Sequence, residues 1–288
     1  MIIYTGSYYS YRKNNINMIA KIFLSLTDYP FFRRLVWKPI YEILAKKFVI
    51  NDWHFMNYGY VPFESEKFLR LEHKDEINRY PLQLYHYLAS KIRLEGLEIL
   101  EVGSGRGGGC SYIKRYLNPR RVTGLDIANN AIQFSKQMHH EKGLYYRQGD
   151  AENLPFDDEY FDVVINVESC HAYGDVPKFL SEVKRVLNDG GHFLCTDLRS
   201  PSGMKTLREN LINSGLQLIE EEDISENVIK AIEQEEPLKQ KRIEQHVPGW
   251  FQKTFKEFAG VKGSQIHWGL QSGGLVYYRF VLQKKSSE

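Results

Sequence analysis

An apolar run that ends in a burst of glycine limits this chain more than any other feature. Residues 97–102, LEILEV, lead into Gly103-Ser104-Gly105-Arg106-Gly107-Gly108-Gly109 and then into the helix-spaced CSYIKRYL of 110–117. A strand, a tight glycine turn and a helix in that order let the backbone approach a ligand closely at a helix N-terminus. The run is not a Walker A loop, because no Lys-Ser/Thr pair closes it. Gly103, Gly105 and Gly107 also depart from G-x-G-x-x-G, although Gly108 can take the last place, so the loop alone leaves a dinucleotide reading open. Glu101 at the loop entry sets a carboxylate where a cationic or hydrogen-bond-donating ligand fits better than a pyrophosphate.

The surroundings repeat the pattern. RVTGLDI, FDVVINV and GGHFLCTDL read as further short strands, while ANNAIQFSKQMHH and VPKFLSEVKRVL have the spacing of covering helices. That alternation predicts an α/β fold with a mostly parallel, doubly wound sheet whose ligand lies beyond the carboxyl ends of the strands. With 288 residues, 42% of them hydrophobic, the chain can bury one sizeable core. The formal net charge of +2 gives no cationic surface of the kind nucleic acid selects, so no nucleic-acid partner is expected. Cys110, Cys170 and Cys195 form no CxxC pair, which argues against a disulfide scaffold or a cysteine zinc site and for the reduced cytoplasm; no metal is expected. The N-terminus lacks a secretory pattern, and no run of 18 apolar residues could cross a bilayer.

The division read from these patterns is an N-terminal helical lid or substrate segment (1–95), a ligand-binding core (96–200) and a completing part (201–288) with an inserted helical lid (201–273). In the first part, Ile16, Ile19, Ile22, Phe23 and Leu26, then an aromatic stripe over 31–50 opposed to Arg33, Arg34, Lys38, Lys46 and Lys47, read as amphipathic helices. Packing on the protein's own core or lid is the first reading of that stripe, and weak membrane-surface contact the second. In the last part, LQLIEEEDI reads as a strand, SENVIKAIEQ as a helix, EEPLKQKRIEQ as a solvated charged face, and GLVYYRFVLQKK as an antiparallel strand at the sheet edge. Trp250, Phe251, Phe255 and Phe258 are expected to line an apolar pocket in the lid. Nothing in the sequence sets an oligomeric state.

EVGSGRGGG resembles motif I of class I S-adenosylmethionine-dependent methyltransferases, and GLDIANNAI, GDAENLPFDDEYFDVVINVESCHAY and VKRVLNDGGHFLCTDL resemble that family's later motifs in order, over 97–198. MNYGYVPF and VESCHAY are similar to the group of phthiotriol and related lipid or polyketide O-methyltransferases and, more distantly, to sterol C-methyltransferases. The resemblance implies a seven-stranded Rossmann-like sheet with a helical lid, binding S-adenosylmethionine and releasing S-adenosylhomocysteine. It implies that Glu101, Gly103, Ser104, Gly105 and Gly107 surround the methionine and ribose, that Asp126 accepts from the ribose hydroxyls, that Asp150 and Ala151 meet the adenine, and that Ile127 and Glu152 also belong to the cofactor site. Asn166 is placed at the methionine end and Tyr58 over the cofactor. Tyr60, Glu168, His246 and Trp250 are placed against the substrate. His171 is the expected general base, with His54, His246 and His267 as rivals. The implied activity is O-methylation of a bulky apolar polyketide, polyketide-peptide or lipid in secondary metabolism, ahead of C-methylation of a sterol or isoprenoid and of a non-catalytic cofactor-binding scaffold.

Overall fold

A computed structural model describes residues 54–63 and 69–286; the amphipathic stretches expected over 16–26 and 31–50 lie outside the described residues. The elements in chain order are α1 (Arg79–Ala89), β1 (Glu98–Val102), α2 (Gly108–Tyr116), β2 (Arg121–Asp126), α3 (Asn129–Met138), β3 (Leu144–Gln148), β4 (Phe161–Val167), α4 (Val176–Val186), β5 (Leu187–Arg199), α5 (Pro201–Asn213), β6 (Gln217–Asp223), α6 (Ser225–His246), α7 (Gly249–Phe258), α8 (Gln265–Gln271) and β7 (Val276–Gln283). The seven strands lie in the order β3-β2-β1-β4-β5-β7-β6. Every pairing is parallel except those of β7 with β5 and β6.

Two apolar layers sandwich the sheet. On one face α1, α2, α3, α6 and α8 bring Leu82, Leu84, Ile113, Ile132, Val228, Ile232 and Leu270 against Ile99, Val163 and Leu194. On the other, α4 and α5 bring Phe179, Leu180, Val183, Met204, Leu207 and Leu211 against Leu100, Val102, Val164 and Phe193. Local chemistry starts both of those helices. Asp175 accepts the Lys178 amide at 2.9 Å and Ser200 accepts the Gly203 amide at 3.1 Å, each just before a proline in the first turn.

Two expectations need correction. β7 is antiparallel, as expected, but it lies between β5 and β6 and not at the edge. Its residues Tyr277, Arg279, Phe280, Val281 and Leu282 are buried, whereas β6 is rich in acids that water and basic neighbours can meet, so β6 takes the edge. The charged run after residue 234 is not simply a solvated face either. α6 continues through Pro237 to His246, and Glu235 and Lys239 are buried in it as a pair 2.9 Å apart, with Lys239 Nζ donating to the Ala259 carbonyl at 3.3 Å.

Candidate active site

The glycine turn is built as its spacing demands. The amides of Gly103 and Ser104 both donate to the Leu125 carbonyl, at 2.8 and 3.0 Å, folding the chain over the end of β2. Gly103, Gly105 and Gly107 all have positive φ (76°, 52° and 80°), and a Cβ on Gly107 would stand 2.6 Å from the Tyr146 hydroxyl. Asp126, half-buried at the end of β2, accepts the Gly105 amide on Oδ2 and the Ala128 amide on Oδ1, both at 2.8 Å. These bonds fix the carboxylate's direction while leaving its oxygens further lone pairs. Beneath the loop the Ser104 hydroxyl is buried without a hydrogen-bond partner.

Glu101 departs from its expected place around a ligand. The pleat of β1 turns it, like Ile99, toward α1 and α2, where it is fully buried. Oε1 accepts the Tyr85 hydroxyl at 2.6 Å and Oε2 the Cys110 thiol at 2.8 Å. Burial pushes its carboxyl up to about 7 against the pull of these two donors, with Asp126 adding to the rise. The residue ties two helices to the underside of the loop.

Beyond β2 and β3, Ile127 and Asp150 are half-buried and Ala151 is buried. Gly149 donates to the Asp126 carbonyl at 3.0 Å, which brings the two strand ends together. Glu152 Oε1 accepts the amides of Gly174 at 2.8 Å and Asp175 at 3.1 Å, clipping this loop to the turn before α4.

Residues 54–63 form a strap across the site. The tip of Met56 comes within 3.1 Å of where a Cβ on Gly105 would lie, and Phe55 packs on Gly108 in the same way. Gly59 (φ 81°) passes so close to α1 that a Cβ would stand 2.8 Å from Tyr80 Cβ. The strap is then pinned by Tyr60 N–H to the Tyr80 carbonyl (3.1 Å), Val61 N–H to the Asn227 carbonyl (3.2 Å) and Asn227 Nδ2 to the Val61 carbonyl (2.9 Å). Tyr58 sits where the strap crosses the strand ends, its amide donating to Glu168 Oε1 at 2.9 Å. Tyr60 does not line a pocket as expected; its ring is 2% exposed and stacks on Tyr87 with centroids 4.1 Å apart.

Three residues at and just after the end of β4, with Asp197 of β5, carry most of the polar chemistry. Asn166 is fully buried, donating from Nδ2 to the Val102 carbonyl (2.9 Å) and the Tyr173 hydroxyl (3.0 Å) and accepting the Cys170 amide (3.2 Å). It braces β1, β4 and the following turn, which corrects its expected contact at the methionine end. Glu168 has φ 47° and accepts the Tyr277 hydroxyl at 2.7 Å besides the Tyr58 amide; burial pushes its carboxyl up to about 7. His171, in a short 3-10 turn and 36% exposed, places Nδ1 2.7 Å from Asp197 Oδ1 on β5. Asp197 is completely buried, with Arg199 Nε 2.9 Å and the Cys170 thiol 3.2 Å from Oδ2. Burial alone would raise its carboxyl, but His171 and Arg199 outweigh that and hold it below the usual range. A carboxylate there fixes the imidazole tautomer with its proton on Nδ1 and makes Nε2 the basic nitrogen.

The rival histidines are differently placed. His54 packs against Phe134 and His139, His267 is buried with Nε2 3.2 Å from Glu233, and His246 is exposed. Trp250 is 82% exposed, and Phe255 is buried in a small cluster with Ile243, Val247, Ala259 and Val261. His246 and Trp250 are therefore not enclosed in a pocket wall as expected; the side chains of Phe251 and Phe258 lie outside the described residues. Among the described residues no group of three His, Cys, Asp or Glu is arranged to hold a metal ion, and no helix is long and apolar enough to cross a membrane. The sequence reading missed Asp197, Arg199 and Tyr277. Their signal was present in TDLR and VYYRF: charged and hydroxylated residues inside strands that the apolar pattern marks as interior.

A methyltransferase domain model matches residues 100–195. The chain is 38% identical over 249 residues to the phthiotriol/phenolphthiotriol dimycocerosates methyltransferase of Mycobacterium leprae (strain TN), covering 86% of this chain and 92% of that one. It is 40% identical over 196 residues to a fatty-acid O-methyltransferase of Mycolicibacterium smegmatis (strain ATCC 700084 / mc(2)155), covering 68% and 71%. Among solved structures, the geranyl diphosphate C-methyltransferase of Streptomyces coelicolor A3(2) superposes with a TM-score of 0.63 at 15% identity, over 88% of this chain and 97% of that one, a likeness of fold.

Proposed function

The chain belongs to the phthiotriol/phenolphthiotriol dimycocerosates methyltransferase family, and from that premise we propose that it methylates a hydroxyl oxygen of a bulky, largely apolar lipid or polyketide. The observation that carries the hydroxyl reading is the 2.7 Å pairing of His171 with the buried Asp197 just past the end of β4.

S-adenosylmethionine supplies the electrophilic methyl group, carried on a sulfonium sulfur. The residues present fit it: the positive-φ glycine turn leaves the 103–107 backbone open to close approach, Ser104 keeps an unpartnered buried hydroxyl below that turn, and Asp126 offers a directed carboxylate. Ile127, Asp150 and Ala151 would flank its base. Tyr58 and Met56 on the strap would help close the cleft above it, keeping water from the displacement.

An alcohol is a poor nucleophile until its proton leaves, and His171 Nε2 would accept that proton as the oxygen–carbon bond forms. Asp197 would stabilise the resulting imidazolium, and Arg199 would keep Asp197 ionised. The proton then passes to water, regenerating the neutral ring. A fatty-acid acceptor, as in the name of the second relative, is already a carboxylate at neutral pH and needs no base, so the dyad favours the hydroxyl.

Labelled methyl transfer to a long-chain aliphatic diol and to a fatty acid, in wild type and His171→Ala, tests the reading. The diol reaction should lose roughly 10²- to 10⁴-fold in the variant. Methylation of the fatty acid alone, at the same rate in both proteins, would sink it.

A further inference from the structure

The left-handed backbone at Glu168, φ 47°, is one that a residue bearing a side chain keeps only where its surroundings enforce it. Much of that enforcement converges on one oxygen. Oε1 receives the Tyr58 amide from the strap and the Tyr277 hydroxyl from β7, and the Glu168 amide donates to the Thr196 carbonyl at 2.9 Å. Tyr277 is itself locked: it is fully buried, its hydroxyl stands 3.3 Å from Thr196 Oγ1, and its amide donates to Ser225 Oγ at 2.8 Å. Thr196 immediately precedes the dyad carboxylate Asp197.

The strap's later half is anchored on α1 and α6 through Tyr60 and Val61, while its earlier half lies on the glycine turn through Phe55 and Met56. Between them, the Tyr58 ring presses on Gly260, where a Cβ would stand 2.3 Å from it. The junction of strap, strand ends and lid therefore falls at the residue whose amide Glu168 holds.

Resting on the methyl-transfer reading, we propose that Glu168 is a positioning residue: backed by Tyr277, it clasps the strap across the ends of β1 and β4, and the acceptor is seated by that closure and not by contact with Glu168. The clasp joins the cover of the site to the segment after β4 that carries its base. A strap released at Tyr58 would leave cofactor-facing groups of the glycine turn in place but let the acceptor wander from His171.

Hydrogen–deuterium exchange of the full chain, saturated with S-adenosylhomocysteine, reads this directly. Glu168→Ala should speed exchange of the 54–63 amides by about tenfold or more while peptides of α4 and β5 stay as in wild type. Tyr277→Phe, which removes a single hydroxyl, should do the same to a smaller extent, and Glu168→Gln, which keeps an accepting oxygen, should restore most of the protection. In turnover of a long-chain diol, Glu168→Ala should raise the acceptor KM about tenfold, a larger change than any in S-adenosylhomocysteine affinity. Unchanged strap exchange in both Glu168→Ala and Tyr277→Phe overturns the clasp, as does faster exchange spread evenly over the sheet. If Glu168→Ala fails to fold, Tyr277→Phe decides alone. If no diol is methylated, the exchange result still stands, so failure of the clasp and failure of the activity are separable.

Discussion

Glu101 and Glu168 stand at the carboxyl ends of neighbouring parallel strands, and burial pushes both carboxyls up to about 7. Their surroundings separate them. Glu101 is sealed under the glycine turn in ordinary strand backbone, with one helix bound to each oxygen. Glu168 is half-buried, twisted into a left-handed conformation, and bound to a segment that covers the site. The same elevated carboxyl is thus a foundation in one place and a fastening in the other. Similar titration does not imply similar work, and the partners decide which it is.

The largest effect expected lies on the Glu168 side. Asp197→Asn keeps the shape beside His171 but removes the charge that orients it, so the methyl-transfer rate should drop about 10²- to 10⁴-fold while S-adenosylhomocysteine binds as before. Single-turnover rates across pH would check it; an unchanged rate and pH profile would mean that His171 works without its partner.

On the Glu101 side the leading effect is on stability. Its folded value of about 7 lies above the ordinary 4.5, so the folded chain holds the extra proton between those values. The contribution is fully present below pH 4.5 and is lost as pH rises through 7. Glu101→Gln lacks this loss, so its stability relative to wild type should improve from pH 5 to pH 8, by on the order of 3 kcal/mol. Urea unfolding at the two pH values measures the change. A variant that differs from wild type equally at both would place the proton elsewhere.

Asp126 comes next in expected size. Asp126→Ala should weaken S-adenosylhomocysteine binding by about 1.5–3 kcal/mol, as calorimetric titration of the folded variant would show, besides the stability lost by freeing the Gly105 and Ala128 amides. Wild-type affinity would remove it from the cofactor site. The smallest effect belongs to Trp250→Ala. At 82% exposure its loss should shift stability by less than about 0.5 kcal/mol and leave the acceptor KM unchanged; a raised KM would return Trp250 to the substrate path.

What was legible in the sequence was local. Strand, glycine turn and helix repeat at short range, so the parallel core and the turn around 103–107 could be read directly. Face and neighbour were not local. The motif gives Glu101 its place along β1 but not the side of the pleat it takes, and Tyr60 lies two residues from Tyr58 yet packs into the core. The partner of His171 is 26 residues away on β5, a relation that no spacing rule carries. The insertion of β7 between β5 and β6 likewise depends on pairings formed only when the sheet assembles.

That insertion also orders events in time. While the chain is being synthesised, β6 is complete before α6, α7 and α8 have been made, and it has no strand to pair with until β7 follows. At ordinary elongation rates that interval is roughly 3–10 s. Throughout it β6 is an unpaired strand, and its run of Glu220, Glu221, Glu222 and Asp223 is what a lone strand needs to stay in solution and refuse a stranger's edge. In the finished sheet β7 pairs on both sides and its buried Arg279 closes on Glu220 and Glu222, so the charges that suit a lone strand also serve as its fastening.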